Sequence, residues 1–243
     1  MKFERPKIVV VGAGGMGALF GAILHEGGLG VTLYDTNAAH VRVIQSDVLH
    51  VEGFGRERLV HVPATDDAAS LARADVLLFQ CKSQATRAAA GAVRHLVKRD
   101  AVCISFQNGL GNEEMLAEEL GEANVVGGLT AMAGNLLGPG RVRDFSRVAS
   151  YIGEMAGGLS ERCQGIAAAF TEAGLDAIST PGGTGDTKSS LCIDILNQRQ
   201  TEVDYIYGTV IRLAREGGIA TPTLETLASL VKGIESHYVE RNA

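Results

Sequence analysis

Three glycines and one carboxylate carry the clearest chemical signal in this chain. Residues 7–17 read KIVVVGAGGMG, which sets Gly12, Gly14 and Gly17 at G-x-G-x-x-G spacing behind the apolar run Ile8, Val9, Val10, Val11. A helix-compatible stretch, MGALFGAILHEGG, follows directly, and a second short strand, VTLYD, ends on Asp35. In such a turn the first glycine permits the tight strand-to-helix reversal, the second lets the backbone approach a pyrophosphate, and the third lets helix pack on strand. Free N–H groups and partial positive charge at the helix N-terminus complete an anion site. The loop Gly12, Ala13, Gly14, Gly15, Met16, Gly17 is therefore expected to hold a dinucleotide. A carboxylate at Asp35 can accept hydrogen bonds from both ribose hydroxyls and repels a 2′-phosphate. Thr36, Asn37, Ala38, Ala39 and His40 come next, with no arginine before Arg42. NAD(H) is favoured over NADP(H). The plainer reading of Asp35 is a cap on the next helix.

Two further polar clusters follow strand-like runs, where open α/β sheets place their ligands. Cys81-Lys82-Ser83-Gln84 follows VLLFQ, and Gln107-Asn108-Gly109-Leu110-Gly111-Asn112-Glu113-Glu114 follows AVCISF. Lys82 is placed to meet phosphate, ribose or a substrate carboxylate. Asn108 can both donate and accept, and Gly109 behind it allows close backbone approach. A solvated lysine and a turn asparagine are the plain alternatives. A third cluster, Gln200 to Ile206, contains Glu202 and Asp204, whose spacing of two turns them to different sides of a helix; a solvated acidic face is the plain alternative there.

The elements that must position these groups alternate. Strand-like runs at 9–11, 31–34, 76–80, 101–105 and 124–128 are separated by helical candidates near 15–27, 84–97 and 112–121. That predicts a mostly parallel, doubly wound sheet with helices on both faces. The arms around Gly53 and Gly55 read as a hairpin insertion, 144–154 as further strand at the sheet's far edge, and 160–174 as a helix capped by Ser160 and stopped by Gly174. The breaker-rich STPGGTGDT reads as a linker. Beyond it SLCIDILNQRQTEVDYIYGTVIRLAREGG reads as one long helix, and Thr221-Pro222 as the start of a last one running to about Tyr238. The expected domains are 1–178 (dinucleotide-binding), 179–187 (linker) and 188–243 (small, shortened, all-helical).

Composition narrows the class. Of the 243 residues 46% are hydrophobic and 21% charged, ordinary for a soluble globular chain. A formal net charge of −6 argues against a nucleic-acid partner. Cys81, Cys103, Cys163 and Cys192 are scattered and the histidines show no paired spacing, so neither a disulfide frame nor a metal site is expected. No apolar run is long enough to span a bilayer, and a reducing cytoplasm fits best.

Four segments together resemble the ketopantoate reductase (2-dehydropantoate 2-reductase) family: GAGGMG, CKSQAT, FQNGLGNEE, and SSLCIDILNQRQTEVDYIYGTVIRLAREGGIATPT. The first three are family-like in order and spacing over residues 7 to about 178. The resemblance implies a Rossmann fold and reduction of a 2-keto acid with a nicotinamide cofactor, foremost 2-dehydropantoate to pantoate. It places the family's loop lysine at Lys82, its cofactor- and substrate-contacting asparagine at Asn108, the serine approaching the substrate carboxylate at Ser190, and the helix glutamate near cofactor and reacting oxygen at Glu202. An alanine lining the cofactor falls on Ala133. Lys82 and Glu202 are thus the expected catalytic pair. Three features depart from the family: Asp35-Thr36 where a basic residue is usual, Tyr207 for an asparagine, and STPGGTGDT where relatives carry several helices with a proton-donor lysine. No residue here matches that lysine. Ser190 and Glu202 on one straight helix would lie about 18 Å apart at 1.5 Å per residue, so either Ser190 precedes the helix start or the two contact different parts of a ligand pair. The competing expectations are a reductase of another 2-keto acid or imine, and a non-catalytic dinucleotide-binding protein. The expected partner is a small 2-keto acid, with a homodimer as a further expectation.

Overall fold

The computed structural model describes residues 3–97, 100–108, 111–182, 195, 198, 200, 201 and 203–239. The chain divides into two compact units, Met1–Asp186 and Thr187–Ala243. In the first unit the order is β1 (Lys7–Val11), α1 (Gly15–Glu26), β2 (Gly30–Tyr34), α2 (Ala38–Ser46), β3 (Leu49–Gly53), β4 (Arg56–Val60), β5 (Ala64–Thr65), β6 (Val76–Phe79), α3 (Thr86–Val93) and β7 (Val102–Ser105). There follow α4 (Asn112–Leu120), β8 (Val125–Thr130), β9 (Ala133–Gly138), β10 (Arg141–Ser146), β11 (Ser150–Glu154), α5 (Glu161–Glu172) and β12 (Ala177–Ser179). Eight strands form one sheet in the order β12-β11-β8-β7-β6-β1-β2-β5, parallel except where β11 runs against β8. This is the Rossmann-type α/β architecture expected from the alternation of elements.

The sheet is covered on both faces, which explains why its central strands read as unbroken apolar runs. Ile8 and Val10 of β1 pack with Phe20, Leu24, Ile166 and Phe170 from α1 and α5. Val9 and Val11 turn the other way, to Leu77, Phe79, Val93 and Leu116, on the side of α3 and α4. Ser160 caps α5 by accepting from the Cys163 N–H at 3.2 Å, and Gly174 beyond it has φ +91°.

One strand assignment needs correction. The 144–154 stretch is not one strand at the far edge. It supplies the end of β10 and all of β11, which lie in different sheets, and β12 forms the edge of the large one. The smaller sheet has the order β4-β3-β10-β9, with β3 and β10 parallel. Its β3–β4 hairpin turns through Phe54 and Gly55, at φ 51° and 74°, as a two-residue turn matching strand twist requires. The buried Asp144 fastens β10, pairing with Arg147 at 2.7 Å and Arg58 at 3.6 Å, and Arg58 also bonds Glu26 of α1.

At the far side of the large sheet, Glu154 accepts from Arg162 Nε at 2.7 Å and ties β11 to α5. The Arg162 hydrogen bond holds the Glu154 carboxyl below its ordinary value of 4.5, against the opposing pull of burial. A carboxyl depressed on folding stabilises above its unfolded value and loses that contribution as pH falls through the folded one. The melting temperature is therefore expected to drop on acidification below about pH 4.5. Glu154→Gln should be less stable at neutral pH, with a flatter acid limb in a thermal-melt series.

The second unit contains α6 (Thr209–Glu216) and α7 (Pro222–Val239), with a five-residue π-helical turn at Asp204–Gly208 leading into α6. The single long helix expected from 190 onward is interrupted. Gln198 adopts φ +54°, and Thr201 is non-helical and restarts the helix, its Oγ1 accepting from the Val203 N–H at 3.2 Å. Pro222 opens α7 as expected, but the Thr221 hydroxyl is buried without a hydrogen-bond partner among the described residues, while the Thr221 carbonyl accepts from the Glu225 N–H at 2.9 Å.

Candidate functional site

Strand β1 pairs with β2 on one side and β6 on the other, and the chain reaches β6 only after crossing the sheet. Beyond the carboxyl ends of these strands lies a cleft of about 900 Å³, the place where open α/β sheets bind ligands. The glycine loop and Asp35 form one wall, residues 80–85 and 106–108 a second, and Gly134, Asn135 and Leu136 of β9 a third.

The three glycines differ in what a side chain would meet. Gly12 has φ +95°, and a Cβ there would stand 2.5 Å from the Cys81 nitrogen. A Cβ on Gly17 would lie 1.9 Å from the Gly12 carbonyl oxygen, so helix and loop touch there. A Cβ on Gly14 would meet nothing within 4 Å, yet Gly14 lines the cleft and precedes α1 with no side-chain cap. Open space in front of uncapped helical N–H groups fits a pyrophosphate. Ala13 is buried and Met16 lines the cleft, while Gly15 lies against β9, its notional Cβ 2.6 Å from the Leu136 nitrogen.

Two side chains lock this loop. Asp35 Oδ2 accepts from the Ala13 N–H at 2.7 Å and Oδ1 from the Asn37 N–H at 2.8 Å. Asp35 lines the cleft, and each carboxylate oxygen keeps a further lone pair. Asn37, not Asp35, caps α2, accepting from the His40 N–H at 3.2 Å. His40, 1% exposed, takes the Ala13 carbonyl at 2.9 Å through Nε2, and its Nδ1 accepts the Gly140 N–H at 2.9 Å. These partners assign a neutral ring with its proton on Nε2. Nothing in the sequence marked His40, because its second partner lies 100 residues away. Replacing it by alanine leaves a buried carbonyl and a buried N–H unpaired. His40→Ala is expected to lose about 1–3 kcal/mol in urea unfolding, and NADH should restore part of that loss by binding only the folded chain.

Lys82 and Asn108 both line the cleft and are exposed, Lys82 directly before a 3₁₀ turn at Ser83–Ala85. Lys82 is the one cation and Asp35 the one anion among the described lining residues. Ala133 is exposed at the start of β9; its neighbours Met132 and Gly134 line the cleft and it does not. Asn135, unmarked in the sequence, does line it. Gly109, Ser190 and Glu202 lie outside the described residues. Burial raises the Cys81 thiol above its ordinary value, and pushes Cys103 to about 12, so neither is a ready thiolate nucleophile at neutral pH. Among the described residues no helix is long and apolar enough to cross a membrane.

Comparison with known proteins now gives the site a context. The family model described as ketopantoate reductase PanE/ApbA matches residues 8–157, and the one for ketopantoate reductase PanE/ApbA C terminal matches residues 125–235. The chain is 26% identical to the 2-dehydropantoate 2-reductase of Halobacterium salinarum over 297 aligned positions, covering 93% of this chain and 98% of that one. It is 23% identical to the 2-dehydropantoate 2-reductase of Lactococcus lactis, covering 94% and 98%. Its fold is similar to that of D-mandelate dehydrogenase solved with NADH and anilino(oxo)acetate, with TM-score 0.71 and 22% identity over 95% of this chain and 99% of that one. The Halobacterium alignment is longer than this chain, so at least 54 of its positions (297 − 243) have no counterpart here.

Proposed function

The chain belongs to the ketopantoate reductase family, and on that premise we propose that it reduces a 2-keto acid with a nicotinamide cofactor, 2-dehydropantoate to pantoate in the first instance, with NADH preferred. The observation that carries this reading is the cleft itself: an open cradle at Gly14, a carboxylate just past β2 and a single cation among the described residues lining the same cavity.

Bound there, the nicotinamide supplies the hydride for the C2 carbonyl. The residues of the chain do the rest. Amides of the Gly12–Gly17 loop hold the pyrophosphate, and Asp35 accepts the ribose hydroxyls. Asn108 and Lys82 orient the nicotinamide side and the substrate. Negative charge develops on the substrate oxygen as the carbonyl is reduced, and a nearby ammonium stabilises it or gives it a proton; Lys82 has the charge for that task. Ser190 and Glu202 keep the roles implied by the family resemblance, toward the substrate carboxylate and the reacting hydroxyl.

Loss of NADH absorbance on addition of 2-dehydropantoate tests this reading, with pyruvate-like 2-keto acids and imines as the alternative substrates. Lys82→Ala is expected to lower kcat/KM roughly 100-fold while the chain stays folded, since the side chain is exposed. A second reading, dinucleotide binding without turnover, is favoured by the positions of the Halobacterium relative that have no counterpart here. Saturable NADH binding with no consumption of NADH by any 2-keto acid or imine would establish it.

A further inference from the structure

We propose that a buried hydrogen-bonded bridge, Gln107–Thr86–Asn112, is a positioning device that holds Lys82 and Asn108 at a fixed separation on one wall of the cleft; its catalytic consequence rests on the function proposed above. The two loops that carry these groups follow neighbouring strands, β6 and β7, and they grip each other reciprocally. From the second loop, Gln107 Nε2 donates to the Cys81 carbonyl at 2.7 Å and to Thr86 Oγ1 at 2.8 Å. From the first, Ser83 Oγ donates to the Asn108 carbonyl at 2.9 Å. Lys82 therefore stands between two anchored residues, and Asn108 is held by its own carbonyl.

Thr86 makes the bridge directional. Its hydroxyl has a single proton, and it accepts from Gln107, so the proton goes to Asn112 Oδ1 at 3.1 Å. That fixes the amide of Asn112, whose Nδ2 donates to the same Asn108 carbonyl at 3.1 Å. Thr86 and Asn112 are both 0% exposed. They open α3 and α4, two helices on one face of the sheet. A valine of nearly the same shape would fill the space of Thr86 equally well, so packing does not account for the hydroxyl. A satisfied buried network selects one arrangement of the groups it joins, at the cost of a penalty for any member left unpaired.

Thr86→Val tests the bridge, with Thr86→Ser as the rescue and Ser83→Ala as a milder variant that breaks only the outer grip. The first readout needs no activity: hydrogen–deuterium exchange of peptides covering 81–88 and 103–108. Exchange is expected to quicken in both peptides in Thr86→Val and return toward the parent rate in Thr86→Ser, with 141–146 unchanged. The second readout is kinetic. NADH affinity should fall by less than kcat/KM does, because the amides proposed to hold the pyrophosphate belong to the Gly12–Gly17 loop, while kcat/KM for the 2-keto acid falls roughly 10- to 100-fold through misplacement of the polar groups. Unchanged exchange in Thr86→Val, or no recovery in Thr86→Ser, overturns the bridge. A stability loss with kinetics intact reduces it to a structural tie. If Thr86→Val fails to fold, Gln107→Ala, which removes the donor to Thr86 and to the Cys81 carbonyl, takes its place: quickened exchange in both peptides supports the bridge, and parent-like exchange overturns it. A parent protein that turns over no 2-keto acid defeats the proposed function but leaves the exchange result to decide the bridge.

Discussion

Gly14→Ala is expected to fold like the parent and to bind NADH roughly 100-fold more weakly. The added methyl meets no protein atom within 4 Å, so it neither crowds the core nor distorts the loop. It occupies the space in front of the uncapped α1 N-terminus, where the proposed pyrophosphate must come into contact with backbone amides. A substitution that leaves stability untouched while removing affinity separates a ligand surface from a packing surface. Gly17→Ala provides the contrast. Its Cβ would lie 1.9 Å from a backbone oxygen, which cannot be relieved by rotating a side chain. Overpacking of that kind typically costs about 1–3 kcal/mol or more, so Gly17→Ala should lose stability and binding together. Melting curves and NADH titrations of the two variants check both statements. Equal affinity in Gly14→Ala and the parent would move the pyrophosphate away from this turn.

Asp35 is expected to produce the second large effect, and two variants separate its roles. Asp35→Ala removes the acceptors of the Ala13 and Asn37 N–H groups as well as the proposed ribose contacts. A hydrogen bond to a charged group contributes about 1.5–3 kcal/mol, so the loss of even one ribose contact should lower NADH affinity roughly 10- to 100-fold. Asp35→Asn keeps an acceptor oxygen for the loop but loses the negative charge. It should bind NADH with a smaller loss and accept NADPH better than the parent does, since repulsion of the 2′-phosphate is gone. NADPH binding that is unchanged in both variants, or already equal to NADH binding in the parent, would remove Asp35 as the discriminating group.

What the sequence revealed is what is local. The glycine spacing, the strand before it and the helix after it concern contiguous residues, and β1, α1 and β2 lie within a residue or two of their expected bounds. Capping by Ser160 was legible for the same reason. Sheet membership was not: β10 and β11 carry similar strand patterns, and only long-range pairing, β10 with β3 and β11 with β8, sends them to different sheets. The interrupted C-terminal helix escaped notice because Gln198 is an ordinary helix former on propensity and nothing in its type announces a positive φ. The supports of the site were hidden in the same way. His40 joins Ala13 to Gly140, and Thr86 joins Gln107 to Asn112, so each works through partners that the fold alone brings near.

Calorimetric titration of the purified protein with NADH and with NADPH tests the central claim most directly. Saturable heat with NADH at one site per chain, weaker with NADPH and lost in Gly14→Ala, is the predicted result. No heat with either coenzyme, or full-strength binding in Gly14→Ala, would contradict a dinucleotide seated on the first turn of this sheet.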